Sequence, residues 1–219
     1  MTSGFPRLYA ILDSVLVSSG EPELAAALAE AGTGMIQYRN KGAAPKQVLE
    51  ISRSISKALH RRSVCFIVND RADIAVLAEA SGVHVGQDDL DVSAVRKVFE
   101  CAGVVRDSYK IGISTHTLDQ VRTAARTDAD YIAFGPIFET ATKAQLDPIV
   151  GTKLLSEARK LTQKPLVAIG GITVERAAEV YRAGADCVAV AKDLVAAPDP
   201  AARARQYLEI AQQGQTGKA

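Results

Sequence analysis

The sequence lacks the features that mark several classes of protein. It has 26 Lys and Arg against 25 Asp and Glu, a net charge of +1, and so has no basic excess for binding nucleic acid or a membrane surface. No run approaches the roughly 18 apolar residues of a membrane span, and the N-terminal residues MTSGFPRLYAILD do not have the pattern of an export signal. We therefore expect a cytoplasmic protein with neither nucleic acid nor membrane as a partner.

Cysteine is scarce and scattered. The three cysteines are Cys65, Cys101 and Cys187, and none has CxxC or Cys/His metal-site spacing. Cys65 and Cys187 lie in the apolar runs VCFIV and DCVAV, where we expect buried, inert thiols. An odd number of scattered cysteines fits a reducing compartment. A chain of 219 residues can bury a large core without disulfides or structural metals.

What the chain does contain is an alternation of short apolar runs and longer amphipathic segments. In the longer segments, apolar residues recur at three- and four-residue spacing, as in ELAAALAEAG, where Gly32 supplies a helix stop. The short runs are rich in β-branched and aliphatic residues and predict buried parallel strands. They are Leu8–Leu12, Met35–Arg39, Cys65–Val68, Val83–Val85, Ile111–Ser114, Tyr131–Phe134, Leu166–Ile169 and Cys187–Val190.

These units predict an α/β fold with one domain over residues 1–219, a single (β/α)8 TIM barrel. A doubly wound open sheet is the rival architecture. It is disfavoured because there are eight near-equal units and no Ser/Gly linker divides the chain. The segment DPAARARQYLEIAQQ predicts a last helix, and residues 214–219 are expected to be a short frayed tail.

Polar or glycine residues directly follow seven of the eight predicted strands. Because the working groups of a parallel barrel stand at the carboxyl ends of its strands, we expect these residues to meet at one rim. From the second strand to the eighth, the segments are QYRNK, ND, GQDD, STH, GPIFETATK, GG and AK.

The segment after the second strand predicts an anion clamp. Gln37, Arg39 and Lys41 occupy alternate positions, so their side chains face the same way on an extended strand end. One amide, one guanidinium and one ammonium group then converge and suit a phosphate group. The alternative is a solvated strand end that makes surface ion pairs.

Two acids on adjacent strands predict a metal site. Asp70 follows the third strand and Asp89 the fourth, so their carboxylates should lie close together and repel. A hard divalent ion relieves that repulsion, and Mg²⁺ typically takes one or two carboxylates together with water and phosphate oxygens. For either acid alone, a helix N-cap is the alternative.

Two further segments predict phosphate contacts. Residues 135–150 include the hydroxyls of Thr140 and Thr142 and the charge of Lys143, and are expected to be either a lid or a disordered loop. A Gly-Gly pair ending at Gly171 follows the seventh strand, where barrels commonly present backbone amides to phosphate. One diphosphate-sized site with metal and one monophosphate site predict transfer from a diphosphate to a phosphorylated acceptor.

Six ordered motifs then resemble one family over essentially the whole chain. QYRNK, ND, HVGQDD, GISTHT, GPIFETATK and AIGGIT are similar to the motifs of thiamine-phosphate synthases. The resemblance implies a transferase that couples 4-amino-2-methyl-5-hydroxymethylpyrimidine diphosphate to thiazole phosphate, with Mg²⁺ as cofactor. Its products would be thiamine phosphate and diphosphate.

The resemblance also implies a set of site residues. Tyr38, Asn40 and Lys192 depart from the family pattern, and the first two are expected to face away from the clamp. Catalytic roles are implied for Lys143, Arg39 and Ser114. Pyrimidine-diphosphate contacts are implied for Gln37, Tyr38, Arg39, Asn40, Lys41, Asn69, Ser114 and Lys143, thiazole-phosphate contacts for Thr140, Ala141, Thr142, Gly171, Ala191 and Lys192, and magnesium ligation for Asp70 and Asp89.

Two other functions are weighed against this one. The related thiazole tautomerases share the barrel, a phrase close to GPIFET and a histidine matching His116, but lack the Asn-Asp and Gln-Asp-Asp motifs present here. A non-catalytic barrel that binds phosphorylated metabolites is the third hypothesis.

His84 is expected to pack within the barrel or an interface, and His116 to make a polar strand-end contact. Barrels of this size occur as monomers and dimers, so a homodimer is one expected assembly.

Overall fold

The computed structural model describes residues 4–17, 19–139 and 148–216. Its strands close into a parallel barrel in which each strand pairs with the next and the last returns to the first. This closure confirms the predicted (β/α)8 barrel and excludes the open sheet. The strands are β1 (Leu8–Asp13), β2 (Met35–Arg39), β3 (Cys65–Asn69), β4 (Gly82–Val85), β5 (Lys110–Thr115), β6 (Tyr131–Phe134), β7 (Leu166–Ile169) and β8 (Cys187–Val190).

Helices alternate with these strands and begin where local signals direct. Asp91 accepts a hydrogen bond from the Ala94 amide, and Thr117 forms a reciprocal capping box with Gln120. The last helix continues past the predicted end at Gln213. The described helices are α1 (Glu21–Glu30), α2 (Pro45–Leu59), α3 (Ala72–Leu77), α4 (Val92–Cys101), α5 (Leu118–Ala125), α6 (Gly151–Lys160), α7 (Val174–Arg182), α8 (Lys192–Val195) and α9 (Pro200–Thr216), with a 3₁₀ turn at Arg106–Ser108.

The apolar side chains form two layers. Leu8, Ala10 and Leu12 of β1 are fully buried in the layer between the barrel and its helices. Tyr9 and Ile11 of the same strand belong to a separate cluster inside the barrel. Successive strand residues point to opposite faces, so the inward positions fill the barrel interior and then continue to its carboxyl-terminal mouth.

Several strands extend further toward that mouth than the sequence predicted. Asp13 pairs with Arg39, and Asn69 pairs with His84, so β1 and β3 each include one more residue. Thr115 extends β5 in the same way by pairing with β6. These polar side chains therefore take their directions from the sheet and are not set by flexible loops.

The two cysteines in apolar strands are protected from reaction. Cys187 is fully buried and Cys65 is partly buried. Burial raises the pKa of the Cys65 thiol to about 12 and the pKa of Cys187 above its usual range, so both thiols keep their protons near neutral pH. Separately, none of the helices in the described part of the chain is both long and apolar enough to cross a membrane.

Two neighbouring leucines on α6 test the layer between barrel and helices. Leu155 is fully buried, whereas Leu154 is 40% exposed. We expect Leu155→Ala to lower the free energy of unfolding by about 2–5 kcal/mol, because it removes buried methyl groups and leaves a cavity. Leu154→Ala should cost less than about 1 kcal/mol. Urea unfolding followed by circular dichroism measures both, and equal losses would contradict this packing.

Candidate active site

The carboxyl-terminal mouth of the barrel opens on a cavity of about 770 Å³. This volume lies in the range of small-molecule sites, roughly 300–1,000 Å³. All eight strands contribute to its wall or floor. Of the residues that the sequence predicted for the site, those lining the cavity are Gln37, Arg39, Asn69, Ser114, Gly171, Ala191 and Lys192.

Arg39 is held in place by Asp13. One Asp13 carboxylate oxygen accepts a hydrogen bond from Arg39 Nη1, and the other accepts from the Val15 amide at 3.0 Å. Asp13 is 2% exposed, so water competes little for this ion pair. The remaining guanidinium donors can still meet an anion in the cavity. Asp13 is absent from the predicted site, although an acidic residue ending the first strand obeys the rule applied to the other seven.

Lys41 and Asp70 form an ion pair, although neither of these two predicted residues lines the cavity itself. The Lys41 ammonium lies 3.0 Å from Asp70 Oδ2, and the lysine side chain is 58% exposed. Asp70 directly follows the cavity-lining Asn69 and has a φ of 61°, a left-handed conformation that aspartate adopts more readily than most residues. The Asp70 amide donates to the carbonyl of His84 at 2.8 Å, so this turn is anchored to β4.

Asp70 and Asp89 are neighbouring carboxyl groups. Burial raises the pKa of Asp70, Lys41 lowers it, and Asp89 raises it through both hydrogen bonding and charge. Asp89 accepts from the Gly86 amide at 2.6 Å, which orients its carboxylate. The raised pKa of Asp70 indicates that Lys41 alone does not offset burial and repulsion.

This pair of acids fits a hard cation that takes most of its ligands from elsewhere. Within residues 4–17, 19–139 and 148–216, no group of three or more His, Cys, Asp or Glu side chains could hold a metal ion. An ion held by Asp70 and Asp89 would therefore need water or a bound ligand to complete its shell. Mg²⁺ is commonly bound in that way, by one or two carboxylates with water and phosphate oxygens.

The floor of the cavity carries polar groups from both sides of the barrel. Gln37 Nε2 donates to the hydroxyl of Tyr9 at 2.6 Å. His84 Nε2 lies 2.8 Å from Ser114 Oγ, and His84 Nδ1 lies 3.0 Å from the Tyr131 hydroxyl. Tyr9 and Tyr131 were not predicted as site residues. Their hydroxyl groups, at inward positions of predicted strands, could have indicated them. His84 packs within the barrel, as expected, and is also hydrogen-bonded there.

The turn after β7 forms another part of the wall. Gly171 has a φ of 62°, and a Cβ atom on it would lie 2.4 Å from the carbonyl oxygen of Glu139. Only glycine therefore allows this close approach. The Phe138 amide donates to the Gly170 carbonyl at 3.0 Å, and the Arg176 guanidinium carbon lies 4.6 Å from the Phe138 ring centre. These contacts join the segments that follow β6 and β7.

Other predicted site residues do not line the cavity. Tyr38 is buried in the layer between barrel and helices, and its hydroxyl accepts from Asn40 Nδ2 at 3.1 Å. The Asn40 carbonyl oxygen accepts from the amides of Gly42 and Ala43. Both side chains therefore serve the strand end, and face away from the clamp. The predicted contacts at Thr140, Ala141, Thr142 and Lys143 lie outside the described residues.

The raised pKa of Asp70 predicts a pH-dependent effect on stability. Its folded-state pKa lies above the unfolded value of about 4, so its stabilising contribution is complete below that value and is lost as the pH rises through the folded-state pKa. In the metal-free protein, Asp70→Asn should therefore gain stability relative to wild type as the pH rises from about 4 to 7. The exposed ion pair with Lys41, which this change weakens, contributes little.

Urea unfolding at a series of pH values, with chelator present, measures this gain. The matched control is Asp88→Asn, since Asp88 is an exposed neighbour of Asp89. A pH-independent difference between Asp70→Asn and wild type, or an equal gain in the control, would show that burial and Asp89 do not disfavour the charged form of Asp70.

Known proteins resemble this chain along most of its length. The family model described as "Thiamine monophosphate synthase" matches residues 8–194. The thiamine-phosphate synthase of Koribacter versatilis is 44% identical over 218 residues, covering 96% of this chain and 99% of that protein. That of Chloroflexus aurantiacus is 40% identical, covering 91% and 90%. The solved thiamine phosphate pyrophosphorylase from Pyrococcus furiosus is 27% identical with a TM-score of 0.84, covering 95% and 96%.

Proposed function

Because the chain belongs to the thiamine monophosphate synthase family, we propose that its cavity couples a pyrimidine diphosphate to thiazole phosphate and releases diphosphate. The family resemblance expected from the motifs is confirmed. One observation carries the assignment of the site: Lys41, Asp70 and Asp89 stand together, and Arg39 and Asn69, which are near Lys41 and Asp70 in the chain, line the cavity. That grouping suits a diphosphate that departs with its charge neutralised.

The chemistry asks the protein to stabilise a leaving group. When diphosphate leaves the pyrimidine methylene carbon, negative charge grows on the leaving oxygen, and a cation remains that the ring's amino group stabilises. Donors already aimed at that charge lower the barrier because they need not reorganise. We assign this role to Arg39, fixed by its buried contact with Asp13, and to Lys41 beside Asp70.

Asp70 and Asp89 would hold Mg²⁺. Their proximity and the raised pKa of Asp70 support a shared cation, and their carboxylate oxygens are ligands that Mg²⁺ prefers. Bound there, the ion would supply further positive charge to the diphosphate. The Asp89 hydrogen bond from the Gly86 amide keeps that carboxylate oriented before any ligand arrives.

The remaining predicted residues divide between the two substrates. Gln37, Asn69 and Ser114 line the cavity, and we assign them to the pyrimidine half. No general base is needed, since the thiazole nitrogen that captures the cation carries no proton. The thiazole phosphate is assigned to the wall formed by Gly171, Ala191 and Lys192, with Thr140, Ala141 and Thr142 proposed from the sequence alone.

The alternatives are less well supported. The similar curated proteins are named as synthases, and the chain has the Asn-Asp and Gln-Asp-Asp motifs that thiazole tautomerases lack.

The direct test is incubation with the pyrimidine diphosphate and thiazole phosphate, with and without Mg²⁺. It scores thiamine phosphate, diphosphate and, separately, tautomerisation of thiazole carboxylate phosphate. A non-catalytic binding barrel would release no diphosphate. Homodimer formation and cytoplasmic location stay predictions.

The two acids should govern the dependence of the reaction on Mg²⁺. We expect Asp70→Asn and Asp89→Asn each to lower activity at limiting Mg²⁺ by about 100-fold, since each removes one of two protein ligands. Asp88→Asn should leave the Mg²⁺ titration unchanged, because Asp88 is exposed and lies outside the proposed ligand pair. Initial rates over a range of Mg²⁺ concentrations measure this. Wild-type Mg²⁺ dependence in both site variants would refute the assignment.

Lys143 is proposed to neutralise the departing diphosphate from the loop at residues 135–150. We expect Lys143→Ala to lower kcat by about 100-fold while changing the KM for thiazole phosphate by much less, since that substrate carries a separate phosphate. Steady-state kinetics in both substrates measure the two effects, with Lys153→Ala on α6 as a lysine control. Unchanged turnover in Lys143→Ala would count against the assignment.

A further inference from the structure

Five polar side chains form one continuous hydrogen-bonded chain across the inside of the barrel. The Tyr9 and Tyr131 hydroxyls are 3.1 Å apart. Gln37 joins this pair through Tyr9 at 2.6 Å, and His84 joins it through Tyr131 at 3.0 Å. His84 in turn reaches Ser114 at 2.8 Å. The two ends, Gln37 on β2 and Ser114 on β5, both line the cavity.

The middle of the chain is shielded from water. Tyr9 is 1% exposed and Tyr131 is fully buried. Burial raises the pKa of both phenols far above their ordinary value, so both keep their hydrogens and both can donate. A buried hydroxyl that lost its partner would be costly, and this keeps the chain continuous.

The donors and acceptors give the chain a direction. Gln37 donates to Tyr9 through an amide nitrogen that cannot accept, so we assign the hydrogen of the buried Tyr9 hydroxyl to Tyr131, its other hydrogen-bond partner. The Tyr131 hydroxyl then accepts from Tyr9 and donates to His84 Nδ1. A neutral imidazole that accepts at Nδ1 carries its hydrogen on Nε2, which donates to Ser114 Oγ.

This direction decides what each end offers the cavity. Ser114 accepts from His84, so its own hydroxyl hydrogen is available to a ligand. Gln37 uses its amide nitrogen on Tyr9, so its carbonyl oxygen is available as an acceptor. The two ends are coupled: reversing one requires reversing every hydrogen bond between them.

The backbone is built around the central phenol. Gly112 of β5 pairs with Tyr131, and a Cβ atom on Gly112 would lie 2.0 Å from Tyr131 Cζ and 2.4 Å from its hydroxyl oxygen. No side chain other than hydrogen fits there. The His84 ring stacks on the Tyr131 ring with centres 5.5 Å apart, which fixes the orientation of both groups.

We propose that Tyr9, Tyr131 and His84 are positioning residues that make the cavity floor specific for an aminopyrimidine, by presenting a hydroxyl donor at Ser114 and a carbonyl acceptor at Gln37. An amino group is a hydrogen-bond donor and the ring nitrogens are acceptors, so the two ends complement this ring. The inference rests on the proposed function and specifies how the same site selects its pyrimidine.

A 4-oxo-pyrimidine is the natural competitor for such a site. Its carbonyl oxygen replaces the amino donor with an acceptor, and its adjacent ring nitrogen carries a hydrogen. At Gln37 the carbonyl oxygen would then face another carbonyl oxygen, and burying this unpaired contact disfavours binding. The chain prevents the floor from adapting, because a reversal would have to pass through His84 and both tyrosines.

The test compares binding of two unreactive probes, the monophosphates of 4-amino- and 4-oxo-2-methyl-5-hydroxymethylpyrimidine. Their inhibition constants are measured in the synthase assay. We expect wild type to favour the amino probe by at least about 100-fold. Tyr131→Phe should reduce this ratio at least about tenfold, because the Tyr9 hydroxyl loses its acceptor and can donate to Gln37 instead. The Gln37 amide can then turn and offer a donor to the carbonyl oxygen of the 4-oxo probe.

Two controls separate positioning from general damage. Tyr109→Phe removes a buried hydroxyl for which the structure gives no partner among the described residues, and should leave the ratio unchanged. Inhibition by inorganic diphosphate should change less than about twofold in Tyr131→Phe, since the proposed diphosphate site is separate from the barrel interior where Tyr131 lies. A merely structural defect would weaken all three inhibitors together.

His84 variants give a second, independent measurement. His84→Leu should lower the ratio as Tyr131→Phe does, and His84→Gln should restore most of it, because a glutamine side chain can again accept from Tyr131 and donate to Ser114. Ratios within about twofold of wild type in both Tyr131→Phe and His84→Leu would overturn the inference. Absence of thiamine phosphate formation by the wild-type protein would instead refute the proposed function itself.

Discussion

The two-residue alternation of a closed parallel barrel is the constraint on which the rest of this structure depends. Because every second side chain of β1 points inward, Tyr9 and Ile11 fill the interior and Asp13 follows at the mouth. The same spacing on β2 carries Gln37 and Arg39 into the cavity, while the alternate residues pack beneath the helices. Core packing and site construction are therefore one geometric solution, and a shift of register would exchange the two faces.

The charged groups proposed for the site differ in how far the protein itself compensates them. Arg39 is matched by the buried Asp13, so the guanidinium is oriented before a ligand binds. Asp70 is in a different situation, since burial and Asp89 raise its pKa against the opposing effect of Lys41. Asp13 has its counter-ion within the protein, in Arg39. Lys41 compensates the charge of Asp70 only in part. Asp70 is proposed to help hold a cation, whereas Asp13 positions the Arg39 guanidinium.

Below the mouth, recognition depends on neutral hydrogen bonds. The floor combines an amide, two phenols, an imidazole and a hydroxyl in one chain. Neutral donors and acceptors cost less to bury than charges do, and they carry direction, which a charge does not. A diphosphate needs strong fields that tolerate many orientations, whereas a planar ring is distinguished by the order of its donors and acceptors. The two depths of the cavity match these two demands.

The sequence by itself determined the barrel, the family and the strand-end residues that line the cavity, because periodicity, strand count and motif order are local properties. It missed Asp13 and did not connect Tyr9 with Tyr131, which are 122 residues apart. Only the tertiary structure decided that Asp13 holds Arg39 and that Gly112 makes room for a phenol from the next strand. Those relations depend on which strands become neighbours and in what register, and no local pattern encodes the distance between two side chains that meet only when the barrel closes.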